Sequence, residues 1–186
     1  MHKQLRIFLG MESFFVFSLG MFGPIYAIFV QKVGGSILDA GFASSLFMIV
    51  SGCGILVSGY FSDKIKSYKT MILIGYSIIS MCYLGYSFLT EVWQLYAIQV
   101  LLGIASIIAM PSVYAFYSIH VKDGQRAWDF SQWEGIWRIF NGCGAIIGAG
   151  LVSFFGFKAL FLTMFAFTLI GLVVGITIKN EHYTAH

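Results

Sequence analysis

Charge is what this sequence has least of. Of its 186 residues, 11 are Lys or Arg and 8 are Asp or Glu, whereas 59% are apolar. Soluble domains carry about 25% charged residues, and one of this size could not cover its core with so few. That excludes water-soluble enzymes, nucleic-acid binders and disordered tails. The net charge of +3 is small and spread along the chain, so no nucleic-acid partner is expected. The four histidines, His2, His120, His182 and His186, lie outside the long apolar runs, and the only prolines are Pro24 and Pro111. Without an intramembrane His, Ser51-Gly52 and Ser58-Gly59 lack the context of an intramembrane serine protease. Cys53, Cys82 and Cys143 stand in apolar sequence without metal-ligand or redox spacing. No metal, cofactor or enzymatic chemistry is therefore read from the residues.

Long apolar runs fill the rest. A membrane helix needs roughly 20 mainly apolar residues to cross about 30 Å of hydrocarbon. Six segments meet that need: Ile7–Val30, Ile37–Tyr60, Met71–Leu89, Trp93–Tyr117, Trp133–Phe155 and Ala159–Ile178. The first is too long for a cleavable signal peptide and lacks a small-residue cleavage site. Eight Lys/Arg fall at the N-terminus, in the second and fourth connections and in the tail, against two, Lys32 and Lys158, on the other side. The positive-inside rule then predicts a multi-pass protein of the cell membrane with both termini in the cytoplasm. The expected fold is all-α, with residues 1–186 forming a single six-helix membrane domain.

Two short matches suggest an internal repeat. Pro24-Ile25-Tyr26-Ala27-Ile28-Phe29 late in span one pairs with Pro111-Ser112-Val113-Tyr114-Ala115-Phe116 late in span four, at an offset of 87 residues. Gly52-Cys53-Gly54 in span two pairs with Gly142-Cys143-Gly144 in span five, at an offset of 90. The unit, about 1–90 and about 91–186, holds three helices, an odd number, so the second copy enters the membrane from the opposite side. Inverted repeats of this kind are characteristic of secondary transporters, whose bundles rock about a site near the bilayer midplane. The alternative is duplication without transport.

Between spans two and three stands Gly59-Tyr60-Phe61-Ser62-Asp63-Lys64-Ile65-Lys66. It resembles the G-x-L-x-D-[RK]-x-G loop motif of the major facilitator superfamily. Gly59, Asp63 and Lys64 match, Phe61 takes the apolar position, and Lys66 replaces the second glycine. In span four, Gln99-Val100-Leu101-Leu102-Gly103 resembles the family's R-x-x-x-G with Gln99 in place of arginine. In span five, Gly144-Ala145-Ile146-Ile147-Gly148-Ala149 resembles G-P-x-x-G-G, with Ala145 in place of a kinking proline.

The resemblance implies a transporter that moves a small-molecule solute by alternating access. It makes Gly59, Asp63 and Lys64 a gating motif, with Asp63 capping a helix N-terminus of the other half; such a charge contributes about 0.3–1 kcal/mol. Members of the family usually have two six-helix halves related by an axis along the membrane normal. Six spans make one half, so a parallel homodimer, or a second six-helix half, is the expected partner alongside the lipid bilayer. The competing explanation is that the six spans are one part of a longer chain. A reading from another class is a non-transporting membrane scaffold or partner-binding subunit.

Polar groups inside the spans are the remaining candidates, since a charge at mid-bilayer costs about 2.5–3.5 kcal/mol on insertion scales. Glu12 and Arg138 lie equally far into helices of the same direction, which permits an ion pair. Glu134 and Arg138 are also spaced i, i+4, acid first, the favourable helical order. Glu12 is thus either a protonatable coupling carboxylate or a static partner of Arg138. Helical spacing sets Glu12 and Tyr26 on one stripe of span one, Gln99, Ser106 and Tyr114 on one of span four, and Glu134, Arg138 and Asn141 on one of span five. Because the resemblance implies that spans one and four line the cavity, Glu12, Tyr26, Gln99, Ser106 and Tyr114 are substrate-facing candidates, with Asn141 beside them. Bland alternatives are interfacial anchoring for the tyrosines and close helix packing for the glycines. Pro24 and Pro111 are candidate hinges, because each removes a backbone hydrogen bond late in a helix.

Overall fold

The computed structural model describes residues 3–62, 67–121 and 124–179, with only the backbone described for 59–62. The regular elements among these residues are all helices, with no strand among them: α1 Lys3–Phe22, α2 Tyr26–Lys32, α3 Ile37–Ser62, α4 Tyr68–Tyr86, α5 Val92–His120 and α6 Arg126–Ile176. Each interior is rich in Leu, Ile, Val, Phe and Met, and most breaks fall where the sequence supplies a reason. A 3₁₀ turn, Gly23–Ile25, separates α1 from α2 where Pro24 cannot donate a backbone hydrogen bond. Ser36 and Asp39 form a reciprocal cap at the start of α3, each side chain accepting from the other's backbone N–H at 2.7 and 3.2 Å. Glu91 and Gln94 form the same device at α5. Pro111, by contrast, sits inside an unbroken α5.

Among the described residues, four segments are long and apolar enough to cross a membrane: Lys3–Lys32, Ile37–Ser58, Val92–His120 and Arg126–Ile176. This departs from six spans at α4. The 19-residue α4 is not among the four; Lys69 and its many hydroxyl side chains lower its apolarity. The fifth and sixth expected spans both lie within α6, whose 51 residues would measure about 76 Å at 1.5 Å per residue if straight, more than twice the hydrocarbon thickness.

That long element is broken at Gly156, where φ is 79° and ψ is 174°, a region essentially reserved for glycine. Contacts on either side run in opposite directions along α1. In the first arm, residues 126–155, Trp133 meets Phe8 (ring centroids 6.4 Å apart), Gly144 meets Phe17 and Gly148 meets Met21. In the second arm, residues 157–176, Phe157 meets Phe29 (5.1 Å), Phe161 meets Phe22 (5.0 Å), Gly171 meets Phe15 and Gly175 meets Met11. The chain therefore turns back at Gly156.

By the same kind of contact, α1, α4 and the first arm run one way, while α3, α5 and the second arm run the other. Tyr76 and Tyr86 of α4 meet Phe15 and Phe22 of α1 in order. On α3, Val50 and Gly54 meet Gly103 and Ile107 of α5 in order.

The core has two apolar layers. One gathers Phe22, Phe29, Tyr86, Leu95, Phe157 and Phe161, and the other Leu5, Phe8, Phe15, Ile72, Val113 and Tyr117. Apolar burial drives no helix association inside lipid, so close contact must come from small residues that let backbones approach. Both arms of α6 meet α1 through such residues. Gly144 and Gly148 press on the backbone of Phe17 and Met21, while Gly171 and Gly175 accommodate Phe14, Phe15 and Met11. Many large apolar side chains face outward, among them Leu38, Leu56, Ile146 and Phe154.

Candidate functional site

Three polar nodes interrupt the apolar packing. The first joins α1 to α4. Glu12 is only 6% exposed, and its carboxylate accepts a hydrogen bond from the Tyr76 hydroxyl. The Phe15 ring lies against that of Tyr76, centroids 4.0 Å apart, and Ser80 one turn on donates to the Tyr76 carbonyl at 2.9 Å. A buried carboxylate is tolerated only when hydrogen-bonded or paired, and here a phenol supplies the donor.

The second node joins three elements near the Gly23–Ile25 break. The Gln99 amide on α5 donates to the Tyr26 hydroxyl on α2 at 2.7 Å and to the Tyr86 hydroxyl on α4 at 3.3 Å. Aromatic rings enclose it, with Tyr86 stacked on Phe161 at 5.1 Å and edge-on to Phe22 at 5.1 Å. The third node lies at the start of α3. There the Asp39 carboxylate accepts from Ser36 and, at 2.5 Å, from the Tyr96 hydroxyl of α5. An open groove of about 800 Å³ beside it is lined by Ile37, Leu38, Phe42 and Tyr96.

The residues singled out in the sequence are distributed unevenly over these nodes. Tyr26 and Gln99 are brought together. Glu12 and Arg138 are partnered separately, so the ion pair that their spacing permits is not made. Their helices run side by side, and the contacts of Phe8 with Trp133 and Phe17 with Gly144 set the two residues at a similar level. Glu12, however, turns toward α4, whereas Arg138 points outward and bonds Glu134 at 2.6 Å, the two side chains being 73% and 57% exposed. One helical turn separates Arg138 from Glu134, and that near partner satisfies it.

Tyr114 is 58% exposed beside Trp133, ring centroids 5.8 Å apart. Ser106 is half-buried in α5, and Asn141 is half-buried with its backbone against Gly20. Gly59 falls in the last part of α3; Asp63 and Lys64 lie outside the described residues.

Sequence reasoning passed over Tyr76, Tyr86, Asp39 and Tyr96. A usable signal was present for the first two: Tyr76, Ser80, Tyr83 and Tyr86 recur at helical spacing along α4, and all four are buried. In a membrane helix a buried stripe of hydroxyls points to interhelical hydrogen bonding.

Comparison with known proteins gives a consistent result. The family model described as Major Facilitator Superfamily matches residues 8–185. The chain is 29% identical over 172 residues to the multidrug resistance protein MdtG of Enterobacter lignolyticus, covering 89% of this chain and 41% of the relative. It is 30% identical over 147 residues to the protein of that name from Citrobacter koseri, and 31% identical over 147 residues to that from Salmonella schwarzengrund, covering 76% of this chain and 36% of each relative. The chain thus spans about two fifths or less of the length of the curated relatives it matches.

Proposed function

The chain belongs to the major facilitator superfamily, and from that premise we propose that it moves a small solute across the membrane by alternating access, as six helices in two inverted three-helix repeats. Residues 1–186 then form one unit, with about 1–90 and about 91–186 as its halves. Supporting this reading, helix directions alternate along the chain once α6 is divided at Gly156. The repeated glycines also pack in the exchanged manner that an inverted repeat requires: Gly54 of span two meets Ile107 of span four, and Gly144 of span five meets Phe17 of span one.

A second six-helix unit completes the transporter in this reading, most simply a second copy about a two-fold axis along the membrane normal. The Gly59, Asp63 and Lys64 loop acts at the contact between units, both termini are cytoplasmic, and Pro24 and Pro111 are the bending points. Tyr26, with Ser106, Tyr114 and Asn141, faces the solute path, and the buried Gln99 holds the Tyr26 hydroxyl from within the bundle.

The single observation that carries the mechanism is the buried Glu12. Ionisable groups inside the membrane mark ion or proton pathways, and this one is held by a neutral phenol with no cation in its bond. Proton uptake and release at Glu12 couples the solute to the proton gradient; Glu134 and Arg138 form a structural pair at the rim. The relatives are named for multidrug resistance, so a cationic dye such as ethidium is the first solute to test. With the purified chain in liposomes, an imposed pH gradient drives ethidium flux, and Glu12→Gln abolishes its dependence on pH. A non-transporting scaffold gives no flux above protein-free liposomes.

A further inference from the structure

Tyr76 has no place in the sequence motifs, yet it is the side chain on which Glu12 rests. It is 2% exposed, donates to the carboxylate, and fixes its own ring against Phe15 on the same helix as Glu12. We propose that Tyr76 is a positioning residue for Glu12: its phenol holds one carboxylate oxygen against α4, so that gain of a proton by Glu12 loosens α1 from α4. This rests on the reading of Glu12 as the protonatable group and states how that site is regulated.

An ionised carboxylate is an acceptor only, and a hydrogen bond to it is roughly twice as strong as one between neutral groups. Away from water the difference is not softened by exchange with solvent. Taking up a proton therefore replaces a charge-assisted tie between α1 and α4 by an ordinary one, at the level where the two helices also share the Phe15–Tyr76 ring contact. Among the described residues, Tyr83 on α4 and Tyr114 on α5 are neutral phenols within electrostatic reach of Tyr76, while Lys69, two turns before Tyr76 on α4, lies beside Met11 and donates to the Ile176 carbonyl at 2.7 Å. From α6, the charged pair Glu134–Arg138 is turned outward, and Lys158 stands at the start of the second arm, next to Phe157, which meets Phe29 of α2, beyond the end of α1. Tyr76 is thus placed to govern Glu12 by direct contact.

The test uses the full chain in liposomes and two readouts. The first is the rate at which dicyclohexylcarbodiimide, an apolar carboxyl reagent, modifies Glu12, followed by peptide mass across a range of pH. Tyr76→Phe frees the held oxygen and changes that rate by about tenfold at matched pH, the size expected for losing a hydrogen bond to a charged group. The second is the pH profile of ethidium flux. Tyr76→Phe displaces the profile, Glu12→Gln flattens it, and the double variant behaves as Glu12→Gln alone. Should Tyr76→Phe fold poorly, ring-fluorinated tyrosine at position 76 keeps the packing while strengthening the donor, and displaces both readouts in the direction opposite to Tyr76→Phe.

Identical labelling rates in wild type and variants overturn the positioning of Glu12 by Tyr76. If labelling changes but Glu12→Gln keeps the wild-type pH profile, the coupling reading of Glu12 falls, and the regulatory role of Tyr76 falls with it.

Discussion

Substituting Gly148 by Ala, with Gly142→Ala as its control, isolates what holds α6 to α1. A methyl at Gly148 lands on the Met21 backbone, 2.6 Å from its carbonyl carbon and Cα and closer still to its carbonyl oxygen. Carbon atoms rest at about 3.5–4.0 Å, so the helices must part by roughly 1 Å. The obstruction is backbone, so no rotamer change relieves it. At Gly142, in the same helix, nothing lies within 4 Å of the added carbon.

Both substitutions gain the same helix propensity, about 0.8–1.0 kcal/mol, which cancels in the comparison. What remains is the overpacking at position 148, about 1–3 kcal/mol. Unfolding of the detergent-solubilised variants by heat or by a denaturing detergent, followed by helical circular dichroism, measures that difference. Gly144→Ala, which meets Phe17 and Met21, loses a similar amount. The double variant loses less than the two separately, because helices already forced apart charge the second methyl less. Stabilities of Gly148→Ala and Gly142→Ala within about 0.5 kcal/mol of each other refute the account of α1–α6 packing.

Three further outcomes follow from the same geometry. Gly156→Ala forces a side chain into a conformation reserved for glycine and costs about 1–3 kcal/mol; proteolysis after Lys158 becomes faster as the turn between the two arms opens. Gln99→Leu leaves the Tyr26 and Tyr86 hydroxyls without their shared donor and costs about 1–3 kcal/mol, whereas Tyr26→Phe with Gln99→Leu recovers part of that loss, as a double-mutant cycle in the same unfolding assay reads. Arg138→Ala, removing an exposed pair, changes unfolding stability by no more than about 1 kcal/mol and leaves the pH dependence of ethidium flux in place.

How far the sequence reached is clearest from particular residues. Apolar run length gave the helices and the position of the reversal, because Gly156 falls between the expected ends at Phe155 and Ala159. It did not foresee that α4 would fall outside the long apolar set, because its hydroxyl side chains, which lower apolarity, are buried at Tyr76, Ser80, Tyr83 and Tyr86. Spacing along a helix gives depth, which is why Glu12 and Arg138 come out at one level. It does not give rotation about the helix axis, and rotation decides that Glu12 meets Tyr76 while Arg138 turns to Glu134. Tyr26 and Gln99 were both singled out in the sequence, yet their direct bond depends on the break at Gly23–Ile25 between α1 and α2. The loop of Asp63 and Lys64 stands on sequence resemblance alone.

The central claim, a proton-coupled transporter working through Glu12, is tested most directly by ethidium flux into liposomes holding the purified chain, with and without an imposed pH gradient. The account predicts gradient-driven flux in the wild type that is independent of the gradient in Glu12→Gln, with both proteins equally folded. Flux no greater than in protein-free liposomes, or a gradient response that survives Glu12→Gln unchanged, contradicts it.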